Sequence, residues 1–411
     1  MKTKLALTSD GRILFGTRIT RLFAYGLLSV ILALYLIESG LSEVDIGLLL
    51  TLTLLGDTAI SLWITTQADR IGRKRMLIAG AALMVLAAMV FAATRNFYLL
   101  LAAAMVGIIS PSGNEVGPFL SIEQASLSQL ISDRKRTGVF AWYNLVGSFA
   151  TALGALAGGG VSQLLQSWGQ APLSSYRIVI LGYGLIGVIL VFLFIRLSGD
   201  IEVHKKSALA PVAKSIQRTF LGLHRSKKIV FRLAALFSLD AFAGGFVVQS
   251  LVALWFSRKF GVEPAVLGAI FFGANLLAGV SALSAAWVAG KVGLINTMVL
   301  THLPSNVLLI LVPFMPTFPL ALTVLLLRFS ISQMDVPTRQ SYTMAVVAPD
   351  ERSAASGITG VARTTGAALS PVFAGFFLAN PALLGLPFIV AGGLKIVYDL
   401  ALYFNFRAIK T

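Results

Sequence analysis

Long apolar runs alternate with short polar connections along the whole chain. The runs fall near 13–37, 44–66, 76–94, 97–127, 138–164, 176–198, 229–257, 263–289, 294–314, 317–346, 353–379 and 383–407. Each matches the roughly 20 residues that an α-helix needs to cross a hydrocarbon layer. In lipid the backbone has to satisfy its own hydrogen bonds, so the spans are predicted to be helices. Twelve of them predict an all-α membrane protein. The first run is too long for a removable signal peptide and has no small-residue cleavage site after it, so it reads as the first span.

Composition sharpens this picture. Of 411 residues, 57% are hydrophobic and 12% charged; a soluble domain carries about 25% charged residues. The formal net charge is +16. In a soluble chain that balance suggests nucleic acid. Here the cations sit in short connections: the N-terminus, 69–75, 133–136, 196–232, Lys291, and Arg407 with Lys410. The other connections hold Glu38, Glu43 and Asp45, with fewer cations (Arg95, Arg177, Arg258 and Lys259). Cations concentrate in cytoplasmic loops of membrane proteins. Both termini are therefore expected in the cytoplasm, and no nucleic-acid partner is expected. Short loops and the lack of a transit sequence point to a bacterial or archaeal plasma (inner) membrane.

Catalytic chemistry has little to work with. The chain has no cysteine and three histidines, His204, His224 and His302, without metal-ligand spacing. Disulfides, thiolate metal sites and cysteine nucleophiles are excluded, and no metal or cofactor is expected. No Ser/His/Asp set occurs, and Gly158-Gly159-Gly160 lies inside a span, where it cannot form a phosphate-cradling loop after a strand. The chain does not read as an enzyme.

The midpoint is different. Residues 199–228 are basic and lack a long apolar run, so they separate a first half, 1–198, from a second, 229–411. Val212, Ile216, Phe220 and Leu223 suggest a helix lying at the membrane surface. The halves repeat one another. Gly40, Gly47 and Gly72 match Gly261, Gly268 and Gly293 at a spacing of 221, and Arg136 and Gly159 match Arg352 and Gly375 at 216.

The densest charge lies between the second and third spans, at Asp69, Arg70, Gly72, Arg73 and Lys74. A basic loop suffices for topology, so the retained acid points to a further role. This run, Asp-Arg-x-Gly-Arg-Lys, resembles the loop 2–3 signature of the major facilitator superfamily of secondary transporters. The usual opening Gly is Thr65 here, the usual aliphatic is Gln67, and the second-half copy is reduced to Gly290-Lys291-Val292-Gly293. The resemblance implies two pseudo-symmetric six-helix bundles with a substrate site between them. It also implies work as a monomer and a conformational role for the charged cluster. A second stretch, Gly147 and Gly154 through Gly158-Gly159, is similar to a glycine-rich antiporter signature of that superfamily, with Ala155 in place of Pro. Span 11 keeps the proline in Ser370-Pro371-Val372-Phe373-Ala374-Gly375. Glycines let helices approach and proline bends them, so ordinary packing uses the same residues.

Ionisable residues inside spans are costly in lipid and are functional candidates by default. Asp57, Glu115, Asp240 and Asp335 fall near mid-depth, and Arg18, Arg21, Glu123 and Arg339 toward the cytoplasmic end. Span 4 carries Ser110-Pro111-Ser112-Gly113-Asn114-Glu115-Val116-Gly117-Pro118. Its prolines and glycines predict a loosened or kinked helix beside Asn114 and Glu115. Asp335 and Arg339 are one turn apart and suited to pairing, as are Lys395 and Asp399. Arg328 and Arg363 are expected to bond to carbonyls or carboxylates of neighbouring helices. At the 216 spacing Glu123 superposes on Arg339, which suggests a cytoplasmic gate formed by that pair across the two halves.

These features predict a secondary transporter working by alternating access between the lipid bilayer's two faces. The first reading is proton-coupled antiport exporting a small organic molecule. The second is proton-coupled symport, or uniport, bringing in a polar or anionic metabolite held by Arg18, Arg21 and Arg339.

Overall fold

A computed structural model describes residues 8–115, 117–131, 133–202 and 223–407, with side chains except at 133–138 and 353. The amphipathic stretch expected at 212–223 lies outside the described residues but for its last residue, as do the side chains of the basic run 133–136. The regular elements among the described residues are helices: α1 (Ser9–Glu38), α2 (Glu43–Ile71), α3 (Arg73–Ala93), α4 (Phe97–Val106), α5 (Phe119–Leu130), α6 (Asp133–Ser167), α7 (Pro172–Ile195), α8 (Lys227–Gly245), α9 (Gln249–Phe260), α10 (Pro264–Val292), α11 (Leu294–Leu311), α12 (Phe318–Ile331), α13 (Asp335–Val346), α14 (Arg352–Leu369), α15 (Pro371–Leu378) and α16 (Leu386–Phe406). Among the described residues, eleven stretches are long and apolar enough to cross a membrane, and α4 is a shorter apolar helix. With α5, α4 takes the place of the predicted fourth span.

Four of the predicted spans are broken, where the sequence pointed to one loosened or kinked helix. Between α4 and α5, the described residues 107–115, 117 and 118 are not helical. Gly113 and Gly117 there have φ of 71° and 80°, left-handed values that residues with a Cβ resist. The Tyr183 hydroxyl holds this segment by donating to the Ile108 carbonyl at 2.8 Å. The seventh span divides into α8 and α9, the tenth into α12 and α13, and the eleventh into α14 and α15. The last break falls at Ser370, directly before Pro371, whose ring has no N–H to continue the helical ladder.

Small residues set how closely the helices pack. A Cβ at Gly154 of α6 would lie 2.0 Å from the Phe23 carbonyl oxygen of α1, and one at Gly158 2.2 Å from that of Leu27. In reverse, a Cβ at Gly26 of α1 would lie 2.1 Å from the Thr151 oxygen. Backbone meets backbone at this crossing, so no side chain can yield. Gly154→Ala is expected to cost about 1–3 kcal/mol or more through forced separation of α1 and α6. The check is the yield of monodisperse protein and its melting temperature; wild-type behaviour would contradict the geometry.

The repeat-related glycines have a common structural job. Gly159 of α6 packs on Gly268 and Pro264 of α10, with a Cβ at Gly159 2.1 Å from the Pro264 oxygen. Gly375 of α15 packs on Gly47 and Glu43 of α2, with a Cβ 2.3 Å from the Glu43 oxygen. The matches at 216 and 221 residues thus mark two equivalent helix crossings.

The structure resolves into two compact units. Unit 1 takes in α1, α3–α7, α2 from Gly56 onward, and Val262–Phe272 at the start of α10. Unit 2 takes in Ser42–Leu55, α8, α9, α10 from Gly273, and α11–α16. The four glycines explain why α2 and α10 are shared: the first part of each packs on a helix of the other repeat.

Candidate functional site

Each unit buries its own cluster of charges. In unit 1, Arg21 of α1 is fully buried and forms a fork on Glu123 of α5. Its Nη1 and Nη2 donate to Oε1 and Oε2 at 2.8 and 2.7 Å. Glu123 also accepts from the Thr17 hydroxyl at 2.7 Å and from the Tyr143 hydroxyl. The Arg21 Nε donates to Glu115 at 2.9 Å, and Arg18 Nη1 donates to the same carboxylate. A two-pronged guanidinium–carboxylate bond adds geometry to charge. It places Glu115, on the unwound segment, and Glu123, on the helix that follows, over one face of α1. Asn114 beside it is exposed, and its backbone is held by Ser110 and Ser112.

Asp57 is the exception in this unit. It sits on α2 within electrostatic reach of Glu115, with the Gly117 backbone N–H as a hydrogen-bonding neighbour. Its Oδ1 is buried and has no hydrogen-bond partner. Among the described residues no cation lies at ion-pair distance from it. In this buried cluster, among the described residues, three carboxylates (Asp57, Glu115, Glu123) therefore stand with two guanidiniums (Arg18, Arg21).

Unit 2 centres on Asp240 of α8. Arg339 of α13 reaches Asp240 at 3.0 Å and Asp335 at 3.1 Å, while Lys395 of α16 donates to the other Asp240 oxygen. Arg363 of α14 lies 3.8 Å from Asp240. Behind them, Asp399 accepts from Asn306 at 2.8 Å and lies 2.8 Å from the His302 ring nitrogen Nδ1. Among the described residues no group of three or more His, Asp or Glu is placed to hold a metal.

The loop 2–3 residues are built into unit 1. Arg73 is buried, bonded to Asp69 at 2.9 Å, to the Gln129 side chain at 3.0 Å and to the Ile201 carbonyl at 3.1 Å. Lys74 reaches the Leu197 carbonyl at 2.7 Å. Glu202 accepts from the backbone N–H groups of Arg73 and Lys74 at 2.8 and 3.1 Å, so a carboxylate caps the positive end of α3. Arg70 is exposed at the end of α2.

Glu351 plays a similar part ahead of α8. It accepts from the backbone N–H groups of His224, Arg225 and Ser226, the last two at 2.8 Å. Burial opposes its charge, but these bonds and one from the Ser226 hydroxyl outweigh it and hold the carboxyl down at about 2, against an ordinary 4.5. Because the folded value is depressed, the stabilisation is full above pH 4.5 and is lost as pH falls toward about 2. Wild type is expected to melt higher than Glu351→Gln at neutral pH, and the two melting curves to converge across that window. A gap that stays constant with pH would refute the assignment.

Several expectations from sequence change here. Of the two residues suggested as a gate, Glu123 is bonded within its own unit to Arg21, Thr17 and Tyr143, and Arg339 within its own to Asp240 and Asp335. Lys395 and Asp399 do not neutralise each other; Lys395 turns to Asp240 and Asp399 to His302 and Asn306. Arg18, Arg21 and Arg339, suggested as anion holders, are already committed to carboxylates. Asp335 and Arg339 do pair. Thr17, His302, Asn306, Glu202 and Glu351 had no part in the expectations from sequence. A histidine within an apolar span was the available signal for His302; nothing local marks the others.

The matched family model is described as Major Facilitator Superfamily and covers residues 14–371. An uncharacterized membrane protein of Saccharomyces cerevisiae is 31% identical over 417 residues, spanning 96% of this chain and 93% of the relative. Among solved structures, the nucleoside transporter NupG superposes with a TM-score of 0.72 at 13% identity, covering 97% of this chain and 100% of that one. A D-xylose–proton symporter superposes at 0.72 with 14% identity, covering 96% and 97%. Membrane-spanning helices, duplicated halves and the matched family model lead to one conclusion: the chain belongs to the Major Facilitator Superfamily, whose members here are transporters and not enzymes.

Proposed function

We propose that this protein is a proton-coupled secondary transporter of a small organic molecule, working by alternating access, with Asp57 as the proton carrier. One observation carries this reading. Among the described residues, Asp57 is the acid of the Arg18–Arg21 cluster with no cation at ion-pair distance, and one of its oxygens is buried without a hydrogen-bond partner. A carboxylate in that setting is costly as an ion and cheap as an acid. Hydration of the site reverses that preference, so proton binding and release follow which face of the membrane supplies water.

Antiport, with export, is the direction suggested by the glycine-rich α6. Symport is favoured by a different observation: in the cluster around Asp240, among the described residues, four cations (Arg328, Arg339, Arg363, Lys395) stand with three carboxylates (Asp240, Asp335, Asp399). A bound anion would balance that surplus while a proton balances the Arg18–Arg21 cluster. We place the protein in the plasma (inner) membrane with cytoplasmic termini, working as a monomer.

Purified protein in sealed liposomes containing a pH-sensitive dye tests coupling and direction together. Adding transported substrate outside should acidify the lumen under symport and make it more alkaline under antiport. Substrate movement with no change in lumenal pH would overturn proton coupling.

A further inference from the structure

We infer that Arg363 on α14 is an anion-recognition residue, and that the molecule transported carries a carboxylate or phosphate. This rests on the transporter reading above and names its substrate class.

Arg363 differs from Arg339 and Lys395 in the same cluster. Arg339 and Lys395 are hydrogen-bonded to Asp240. Arg363 is not: its 3.8 Å approach to Asp240 is too long for a hydrogen bond. Its Nη1, the atom facing Asp240, is buried and makes no hydrogen bond, while 35% of the side chain is exposed. A guanidinium offers five donors in a fixed fork, so this one presents unused donors at an open edge.

The helix around it points the same way. Ser356 and Gly360 lie seven and three residues before Arg363, on the same face of α14, and both are exposed. A Cβ built on Gly360 meets no atom within 4 Å. A polar, open helix face inside a span does not rest against lipid without cost. The small residues that precede this under-used guanidinium on its face of α14 leave room for a ligand oxyanion, and the extra positive charge of the Asp240 cluster supplies the attraction.

The test uses thermal stabilisation of the purified full chain by paired probes: benzoate with benzamide, glucose 6-phosphate with glucose, and uridine 5′-monophosphate with uridine. At least one anion should stabilise the wild type more than its neutral twin. Arg363→Gln should weaken that anion by about ten-fold or more, whereas Arg363→Lys keeps the preference with weaker binding. Gly360→Asp supplies a tethered carboxylate one turn from Arg363 and should abolish the anion preference; Gly360→Ala, its steric control, should retain it. If Arg363→Gln does not fold, the Gly360 pair decides. No anion exceeding its twin, or a preference surviving both Arg363→Gln and Gly360→Asp, overturns the inference. So does stabilisation by phosphatidylglycerol alone with none by soluble anions. Binding is read without a proton gradient, so these outcomes stand apart from failure of proton coupling at Asp57.

Discussion

Replacing Asp57 by Asn is expected to abolish transport driven by a pH gradient while leaving substrate exchange at equal pH intact. Asparagine keeps the size of the side chain and a hydrogen-bonding carbonyl oxygen but cannot ionise. If Asp57 carries the proton, the variant is locked in the state equivalent to the loaded acid. It still binds substrate and still tilts between faces, so radiolabelled substrate exchanges across the membrane. A pH gradient no longer does work on it, and uptake falls to the level of empty liposomes. The ion pairs of Arg18 and Arg21 with Glu115 and Glu123 do not involve Asp57, so the fold is expected to survive. Gradient-driven uptake at wild-type rates in Asp57→Asn would remove Asp57 from the mechanism.

The largest expected effect on stability comes from Arg21→Met. Arg21 has no exposed surface, and neither does its partner Glu123. Removing the guanidinium leaves Glu123 buried with only hydroxyl partners and leaves Glu115 to Arg18 alone. Breaking a buried pair by deleting one member costs about 3–5 kcal/mol, because the remaining charge keeps its desolvation penalty. Replacing both members with neutral groups of similar volume is often close to neutral. The double variant Arg21→Met/Glu123→Gln should therefore recover most of the lost stability. Heating followed by size-exclusion chromatography ranks the three proteins. A single variant as stable as wild type, or a double variant no better than the single, would show that the pair is not the strut it looks like.

Much of the architecture was legible from local sums over the chain. Hydropathy over about 20 residues finds spans because crossing lipid requires that length of apolar helix. The unwound part of span 4 was legible too, since Pro111, Gly113, Gly117 and Pro118 each weaken the helix on their own account. The breaks at 246–248 and 332–334 carry no such dense local signal, and the sequence there reads as continuous helix. The repeat-matched glycines showed a duplication, but not that Gly159 would meet Gly268 and Gly375 would meet Gly47. Those meetings depend on how whole helices cross.

The ion pairs show where local reasoning stops. Lys395 and Asp399 are ideal neighbours along one helix, an arrangement worth about 0.2–0.5 kcal/mol. Across helices, Lys395 meets Asp240, and Asp399 meets His302 and Asn306, in buried sites where an unmatched charge costs far more. Glu123 and Arg339 likewise find partners in their own units. From sequence alone came the class of protein, its spans, its duplication and the list of membrane-buried charges, because each follows from composition over a short stretch of chain. Which charge faces which, and which is left without a partner, was decided by the packing of helices distant in sequence. Only that packing sets the distances over which Coulomb attraction and hydrogen bonding act.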